Sequence, residues 1–534
     1  MRKQGLIFAA LALLFTLLMS MPWLVPHAGI TALVGLLPLL VMERLATQYK
    51  VKRFFWWHYG SFVLWNAVTT WWVGEATVGG AVFAILANAL QMSLVFGSFR
   101  WVKKRLGGVL PYLYLAAAWI AWERFYLTSA QISWPWLVLG NAFAESPSLI
   151  QWYSVTGHLG GSLWVWAANL SLFGGMVALS DGRMAGWTAK ARVAAFAGIF
   201  AAFFGPMIWS ACTRFQEEGE ALEVVISQPN LDPYQKFESL TQEEQDAHFL
   251  AQLEKADWPA DSARTLIIGP ETLTPALFTD AATESASFRR YQAFLQGHPS
   301  ARLLFGASSY DRQVSYAAPD LCSYDMGAQP DGRHLWFTAH NTAILMDAAG
   351  HYDLYHKSKL VVGVESTPYP RVFIPLENLL GGNLMGKDVG QPQISCLDYL
   401  GAAVCYESVY GEFCTGYVRK GARLLTVITN DAWWGNTPGY RQHLCYAALR
   451  AIELRRDIAR CGNTGISAFI DQRGEILETS DWWMRETLSG SVNLSSEQTL
   501  FVRHGDIVGR VCTLVFLILA AFLFVRLFVP AKQS

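Results

Sequence analysis

Long apolar runs separated by short basic patches fill residues 1–212, and a different pattern takes over after them. About 20 consecutive apolar residues are needed to cross a hydrocarbon core of about 30 Å. By that measure membrane spans are expected at Gly5–Leu24, Ala28–Glu43, Phe55–Val73, Val78–Phe99, Val109–Tyr126, Gly161–Leu179 and Val193–Ser210. One more, Ile507–Phe524, lies near the far end, giving about eight. The second is short and carries Pro38. Arg2 and Lys3 precede the first run, and Arg44, Lys50, Lys52 and Arg53 separate the second from the third. Arg100, Lys103, Lys104 and Arg105 follow the fourth; Arg183, Lys190 and Arg192 lie between the sixth and seventh. The alternate connections, near Val25–His27, Gly74–Thr77 and Leu127–Gly160, hold no Lys or Arg. Basic loops stay in the cytoplasm. Both termini are therefore expected there, with Arg526 and Lys532 returned to it, and the region after the seventh span is expected outside. A cleaved signal peptide is the rival reading of the first run, but no A-x-A-like site follows, and the charge alternation needs the run retained. Glu123 and Arg124, near the end of the fifth run, are either a functional intramembrane pair or snorkel to the interface.

Between residues 213 and 506 charges and turn residues become frequent. Short apolar runs of strand character stand at Leu222–Ile226, Thr265–Ile268, Arg302–Phe305, Thr342–Met346, Ala402–Cys405, Leu424–Ile428 and Ile466–Ile470. Helical patterns at Leu240–Lys255, Ser287–Gln296 and Gln442–Ile458 fall among them. Strands alternating with helices imply an α/β domain. The expected division is a helical membrane bundle over 1–212, an extracytoplasmic α/β domain over 213–506, and a last span with a short tail over 507–534.

Composition sharpens this picture. Of 534 residues, 52% are hydrophobic and 16% charged, against about 25% charged in soluble domains. A wholly soluble chain and a disordered one are both excluded. Lys plus Arg is 41 against 42 for Asp plus Glu, which gives no electrostatic reason to expect nucleic acid as a partner.

Several of the expected strands end on a reactive residue, where an open α/β sheet places its chemistry. Thr265–Ile268 leads into Glu271 within GPETLTP, Ala402–Val404 into Cys405 within AAVCYES, and the strand at Leu424 into TNDAWWG. Lys357 and Glu365 lie between the first two, in YHKSKLVVGVE. A thiol becomes a nucleophile with a carboxylate to take its proton, and an ammonium can hold the oxyanion that forms on attack at a carbonyl. Glu, Lys and Cys thus make a sufficient acyl-transfer set. The chain has eight Cys, however, and residue types alone do not choose among them. Cys405 also reads as a small buried hydrophobe, Lys357 as a solvated lysine and Glu271 as a surface acid after a turn. A disulfide among Cys322, Cys396 and Cys414 is compatible with an oxidising compartment. His334, His340, His351 and His356 lack metal-site spacing, so no metal and no cofactor are expected. Gly381–Asp388 lacks the Ser or Thr after Lys387 that a phosphate-binding loop needs.

The ordered trio Glu271, Lys357 and Cys405 resembles the Glu-Lys-Cys triad of the nitrilase, or carbon–nitrogen hydrolase, superfamily. About eight spans with the α/β domain before the last resemble its apolipoprotein N-acyltransferase family. PWLVLGNAFAESPSLIQWYSVTGHLGG, VVISQPN, PETLTP, VCYE, TNDAWWG, LRAIELRR and CGNTGISAFIDQRGEI follow in that family's order, over nearly the whole chain. The resemblance implies a nitrilase-like αββα sandwich. It implies Glu271 as general base, Lys357 as oxyanion lysine and Cys405 as nucleophile. Glu365 matches a second essential acid, and Tyr406 and Glu407 match the Tyr-Glu pair after the cysteine, with the Tyr406 N–H available to an oxyanion. It also implies a bacterial inner-membrane enzyme with a periplasmic catalytic domain, no cofactor, a membrane phospholipid as acyl donor and a diacylglyceryl-apolipoprotein as acceptor.

There are departures. The family's Lys-x-His-Leu-Val-Pro-Phe-Gly-Glu reads Lys357-Ser358-Lys359-Leu360-Val361-Val362-Gly363-Val364-Glu365 here, and an expected tryptophan is Phe237. Acyl transfer therefore competes with two other readings, a membrane-tethered amidase that gives its acyl group to water and a transporter or sensor with an inactive outer domain. A thioester screened from water can wait for an amine; residues 361–375 and the loop holding Trp433 and Trp434 are the candidate screens.

Overall fold

The computed structural model describes residues 2–528 except 218, 234–235, 237–238, 259–263, 380 and 383–384. Phe237 and Lys532 lie outside the described residues. The chain divides into two units: Met1–Ala130, Trp134–Phe215 and His504–Ser534 form one, and Gln131–Ser133 with Gln216–Arg503 form the other.

The first unit is helical. Among the described residues, six of its helices are by length and composition able to cross a membrane: Lys3–Leu24, Ala28–Gln48, Val78–Lys103, His158–Ser180, Ala189–Cys212 and Ile507–Arg526. The two remaining expected spans are also helices, Phe54–Thr70 and Leu110–Thr128. The first is only 17 residues long, and the second carries Glu123 and Arg124. Polar side chains inside this unit meet each other, as they must away from water. Asn88 Nδ2 donates to Asn66 Oδ1 at 2.7 Å, and His58 Nδ1 lies 2.9 Å from Ser93 Oγ. Glu123 does not snorkel. It is fully buried, and its Oε1 accepts from Trp119 Nε1 (3.1 Å) and the Leu139 N–H (2.9 Å). It thereby holds the PWLVLG turn. Gly140 ends that turn because a Cβ there would stand 1.8 Å from the His158 carbonyl oxygen.

The second unit is built on two sheets. Its strands are β1 Glu220–Gln228, β2 Thr265–Ile268, β3 Thr274–Phe278, β4 Ala301–Ser315, β5 Tyr324–Ala328, β6 His334–Asp347 and β7 Tyr352–His356. They continue with β8 Leu400–Val404, β9 Leu424–Thr429, β10 Ile458–Gly462, β11 Ala468–Ile470, β12 Ile476–Thr479 and β13 Glu486–Leu494. The larger sheet runs β13-β1-β2-β4-β6-β5, with β3 beside β4 and β7 beside β6; the smaller runs β12-β11-β10-β9-β8.

Side chains alternate across a strand, and the larger sheet separates its two faces on that rule. Val224, Ile226, Leu266, Ile268, Leu304, Ala343 and Leu345 pack in one core with the smaller sheet and the helices Gly411–Arg419 and Pro438–Leu454. Their neighbours Val225, Ile267, Leu303, Phe305, Ile344 and Met346 turn the other way, onto Gln242–Leu253 and Ala286–Gln296. The order is helix, sheet, sheet, helix. One expected helix is corrected: Gln442–Ile458 overshoots. The helix stops at Leu454 because Arg455 is left-handed (φ 50°), and Ile458 opens β10.

Candidate active site

Cys405 is the first residue beyond β8 and has φ 50°, in the left-handed region. A non-glycine residue adopts this only when its surroundings hold it there. The hold on the backbone is visible. The Cys405 carbonyl accepts from Ser408 Oγ at 2.8 Å and faces His443 Nε2 at 3.1 Å. His443 Nδ1 lies 3.0 Å from Asp431 Oδ1, and Arg460 donates to Asp431 Oδ2 at 2.6 Å, all three side chains being buried. Thr429, at the end of β9, donates to Asp431 Oδ1 (2.9 Å) and also hydrogen-bonds the Cys405 thiol. Burial would raise the Asp431 carboxyl, but Arg460 and His443 hold it far below the ordinary value.

A second cluster faces the sulfur. Lys357 follows β7, and its buried Nζ donates to Glu271 Oε1 at 3.1 Å and to Glu365 Oε1 at 2.8 Å. Asn341, on β6, joins the same two oxygens through Nδ2 at 2.8 and 2.9 Å. Burial alone would depress the lysine. The Glu271 and Glu365 carboxylates override it and keep Lys357 an ammonium, well above its usual value. Burial and the Glu271 charge push the Cys405 thiol up, with Lys357 opposing. The sulfur therefore rests as a thiol, within electrostatic range of both a carboxylate and an ammonium.

The position of Glu271 depends on a glycine in the neighbouring strand. The Gly306 N–H on β4 donates to the Pro270 carbonyl at 3.0 Å. A Cβ on Gly306 would stand 2.5 Å from the Thr272 nitrogen and 2.6 Å from Glu271 Cα. Lys236 lies on the far flank, its Nζ 3.2 Å from Thr272 Oγ1, and burial lowers it to about 8 against the pull of Glu271.

The divergent loop still closes tightly. Glu365 N donates to the Val361 carbonyl (2.9 Å), and Glu365 Oε2 accepts from the Val361 N–H (2.7 Å). Gly363, with φ 81°, makes the left-handed turn one position before the family's glycine. Lys359, where the family has His, stacks its ammonium over Tyr410 and Phe413 at 5.3 and 5.7 Å.

Tyr406 and Glu407 occupy different places from one another. The Tyr406 hydroxyl donates to the Ser133 carbonyl at 3.1 Å. Glu407 is fully buried and accepts from the Val404, Ser358 and Lys359 N–H groups and from the Tyr355 and Tyr417 hydroxyls. It ties the β8 end to the Lys357 loop. Sequence reasoning missed Asn341, Lys236, Thr429, His443 and Arg460. Asn341 had one usable signal, a lone amide inside the apolar strand TAHNTAIL. Asp431 lay in the TNDAWWG segment, but its partners come from distant elements. Cys322, Cys396 and Cys414, the three weighed for a disulfide, are unpaired thiols.

The family model for carbon-nitrogen hydrolase matches residues 233–500, and that for the apolipoprotein N-acyltransferase N-terminal domain matches residues 15–171. The chain is 27% identical over 513 residues to the apolipoprotein N-acyltransferase of Chlorobaculum tepidum, covering 92% of this chain and 91% of that one. It is 28% identical over 407 residues to that of Geobacter metallireducens, covering 73% and 70%. Among solved structures, the nitrilase-superfamily protein Nit3 of Saccharomyces cerevisiae aligns at 14% identity and TM-score 0.36, over 60% of this chain and 99% of that one.

Proposed function

The chain belongs to the carbon–nitrogen hydrolase family, and from that premise we propose that it is an apolipoprotein N-acyltransferase. It takes a fatty acyl chain from a membrane phospholipid and delivers it to the N-terminal amine of a diacylglyceryl-cysteine lipoprotein. The observation that carries the reading is the Lys357 ammonium bracketed by Glu271 and Glu365 beside the Cys405 thiol.

Glu271 removes the Cys405 proton as the sulfur attacks the ester carbonyl carbon. A C–S bond forms, and the oxyanion is held by Lys357 and the Tyr406 N–H. Collapse breaks the ester C–O bond, and the proton on Glu271 goes to the departing lysophospholipid alkoxide. An acyl thioester remains. The lipoprotein amine then attacks it and loses a proton to Glu271. The C–S bond breaks, and the thiolate recovers its proton. A thiol held above its usual value suits this cycle, because the base acts only as attack proceeds.

The apolar helices support a membrane protein with both lipid substrates arriving laterally. We place it in the inner membrane with the catalytic domain periplasmic and both termini cytoplasmic, on the charge alternation of the loops. Exposed Val364, Val372, Leu376 and Leu379 lie in and just beyond the divergent loop, and Trp433 is exposed on a second one. An apolar exposed surface of this kind suits contact with acyl chains and screening of the thioester from water.

The test is intact-mass analysis of the purified protein after incubation with phospholipid vesicles. An added acyl mass on Cys405, discharged by a diacylated peptide with a free amine and absent in Cys405→Ala, is expected. Discharge to water at the same rate without peptide would make the protein a hydrolase instead.

A further inference from the structure

Behind Asn341 and Lys357 lies a second cluster that the acyl-transfer reading does not use. Along β6 the side chains alternate, so His340 and Thr342 face away from Asn341. His356 is the last residue of β7, immediately before Lys357. Asp311, on β4, completes a group whose ligand atoms all lie within 4.8 Å of one another. The two imidazole rings stack at 4.1 Å between centroids, tilted by 22°.

The hydrogen bonds orient both rings for coordination. His340 Nδ1 lies 2.5 Å from the Val389 carbonyl, which can only accept, so that nitrogen carries the proton. In the neutral ring this leaves Nε2 with the lone pair. That atom is buried, faces Asp311 Oδ2 at 3.4 Å, and makes no well-formed hydrogen bond. His356 Nδ1 lies 2.7 Å from Thr342 Oγ1, which is 2.6 Å from Ser309 Oγ. With the Thr342 hydroxyl accepting from Nδ1, the His356 Nε2 offers a lone pair. A metal-bound histidine characteristically donates its other N–H to a carbonyl or hydroxyl in just this way. An open cavity of about 630 Å³, lined by Asp311, His340, Thr338 and Val389 among others, adjoins the cluster.

We propose that Asp311, His340 and His356 form a binding site for a first-row divalent cation of the zinc class. Two imidazoles and a carboxylate suit such an ion, and a position facing the cavity remains for water. The ion would clamp β4, β6 and β7 together directly behind Asn341 and Lys357. Its role is to position those residues rather than to touch the substrate. The proposal does not depend on the acyl-transfer reading and stands or falls separately.

The test is cobalt titration of the full-length, chelator-stripped protein in detergent, read by visible d–d absorption and by metal analysis. One equivalent of Co²⁺ is expected, bound at least tenfold more weakly in Asp311→Asn and in His356→Gln, and unchanged in Cys405→Ser. Asp311 is exposed, so Asp311→Asn tests the site without disturbing the core. Zinc should raise the melting temperature of the wild type but not of Asp311→Asn. Failure to reach one equivalent would reduce the cluster to an Asp–His ion pair. Loss of binding in Cys405→Ser would move the ion to Cys405, Asp431 and His443. Equal binding in the two ligand variants and the wild type would overturn the proposal outright.

Discussion

Two buried charge networks flank one cysteine, and they differ in what they grip. The Glu271–Lys357–Glu365–Asn341 network holds the two charges, on Glu271 and Lys357, that act on the sulfur, whereas the Asp431–Arg460–His443 network reaches the backbone carbonyl behind it. The first is partly open on its acid side, Glu365 being 16% exposed and Glu271 8%, while the second is closed entirely. A network that must exchange protons with substrates needs an opening. One that holds a left-handed residue in place does not. Damage to the first should therefore appear in rate, and damage to the second in stability.

The sharpest break is Glu271→Gln, which keeps shape and removes the proposed base. Turnover should fall about 10²–10⁴-fold with little change in melting temperature, in a lipopeptide acylation assay. A matching loss of stability would erase the distinction between the networks. Asp431→Asn should do the reverse. It leaves a buried guanidinium without its carboxylate, which costs about 3–5 kcal/mol, read by denaturant or thermal unfolding in detergent. The folded fraction should still form the Cys405 adduct.

Gly306→Ala tests how Glu271 is placed. Its new Cβ meets backbone atoms that cannot rotate away, so a cost of about 1–3 kcal/mol is expected, together with slower thioester formation. If unfolding and adduct kinetics both match the wild type, Glu271 does not owe its position to that close approach.

The smallest effect concerns pH. Burial, then the Glu365 charge, raises the Asp388 carboxyl to about 6. A carboxyl with a raised folded value favours the fold at low pH, and that contribution is lost as pH rises from about 4 through 6. Asp388→Asn should flatten this part of the stability profile. Asp431 has the opposite sign: its depressed value contributes above about pH 4 and is lost only as pH falls below that. Melting temperatures across pH 2–7 for both variants would show whether the two slopes have these signs.

The sequence was legible where a strand is buried on both faces. β2, β8 and β9 are wholly buried and read as short apolar runs. β5 and β12 are exposed along their whole length and carry no such signal. β13 alternates polar and apolar residues around Ser489-Gly490-Ser491, and the expected helix runs on to Ile458, the first residue of β10, because Arg455 gives no local sign of its left-handed turn. The reactive residues at strand ends stood out as chemical types, and the ordered motifs chose among them. Asn341 and His443 did not stand out, since each matters only through what distant elements bring to it. Glu271, Lys357 and Glu365 were thus readable from the ordered motifs, whereas the support under the Cys405 carbonyl exists only in three dimensions.

Glu407 has a consequence of its own. Because one carboxylate grips both the strand that ends at Cys405 and the loop that carries Lys357, the two side chains ride on a common anchor. A shift of one sheet against the other would therefore carry both groups with it.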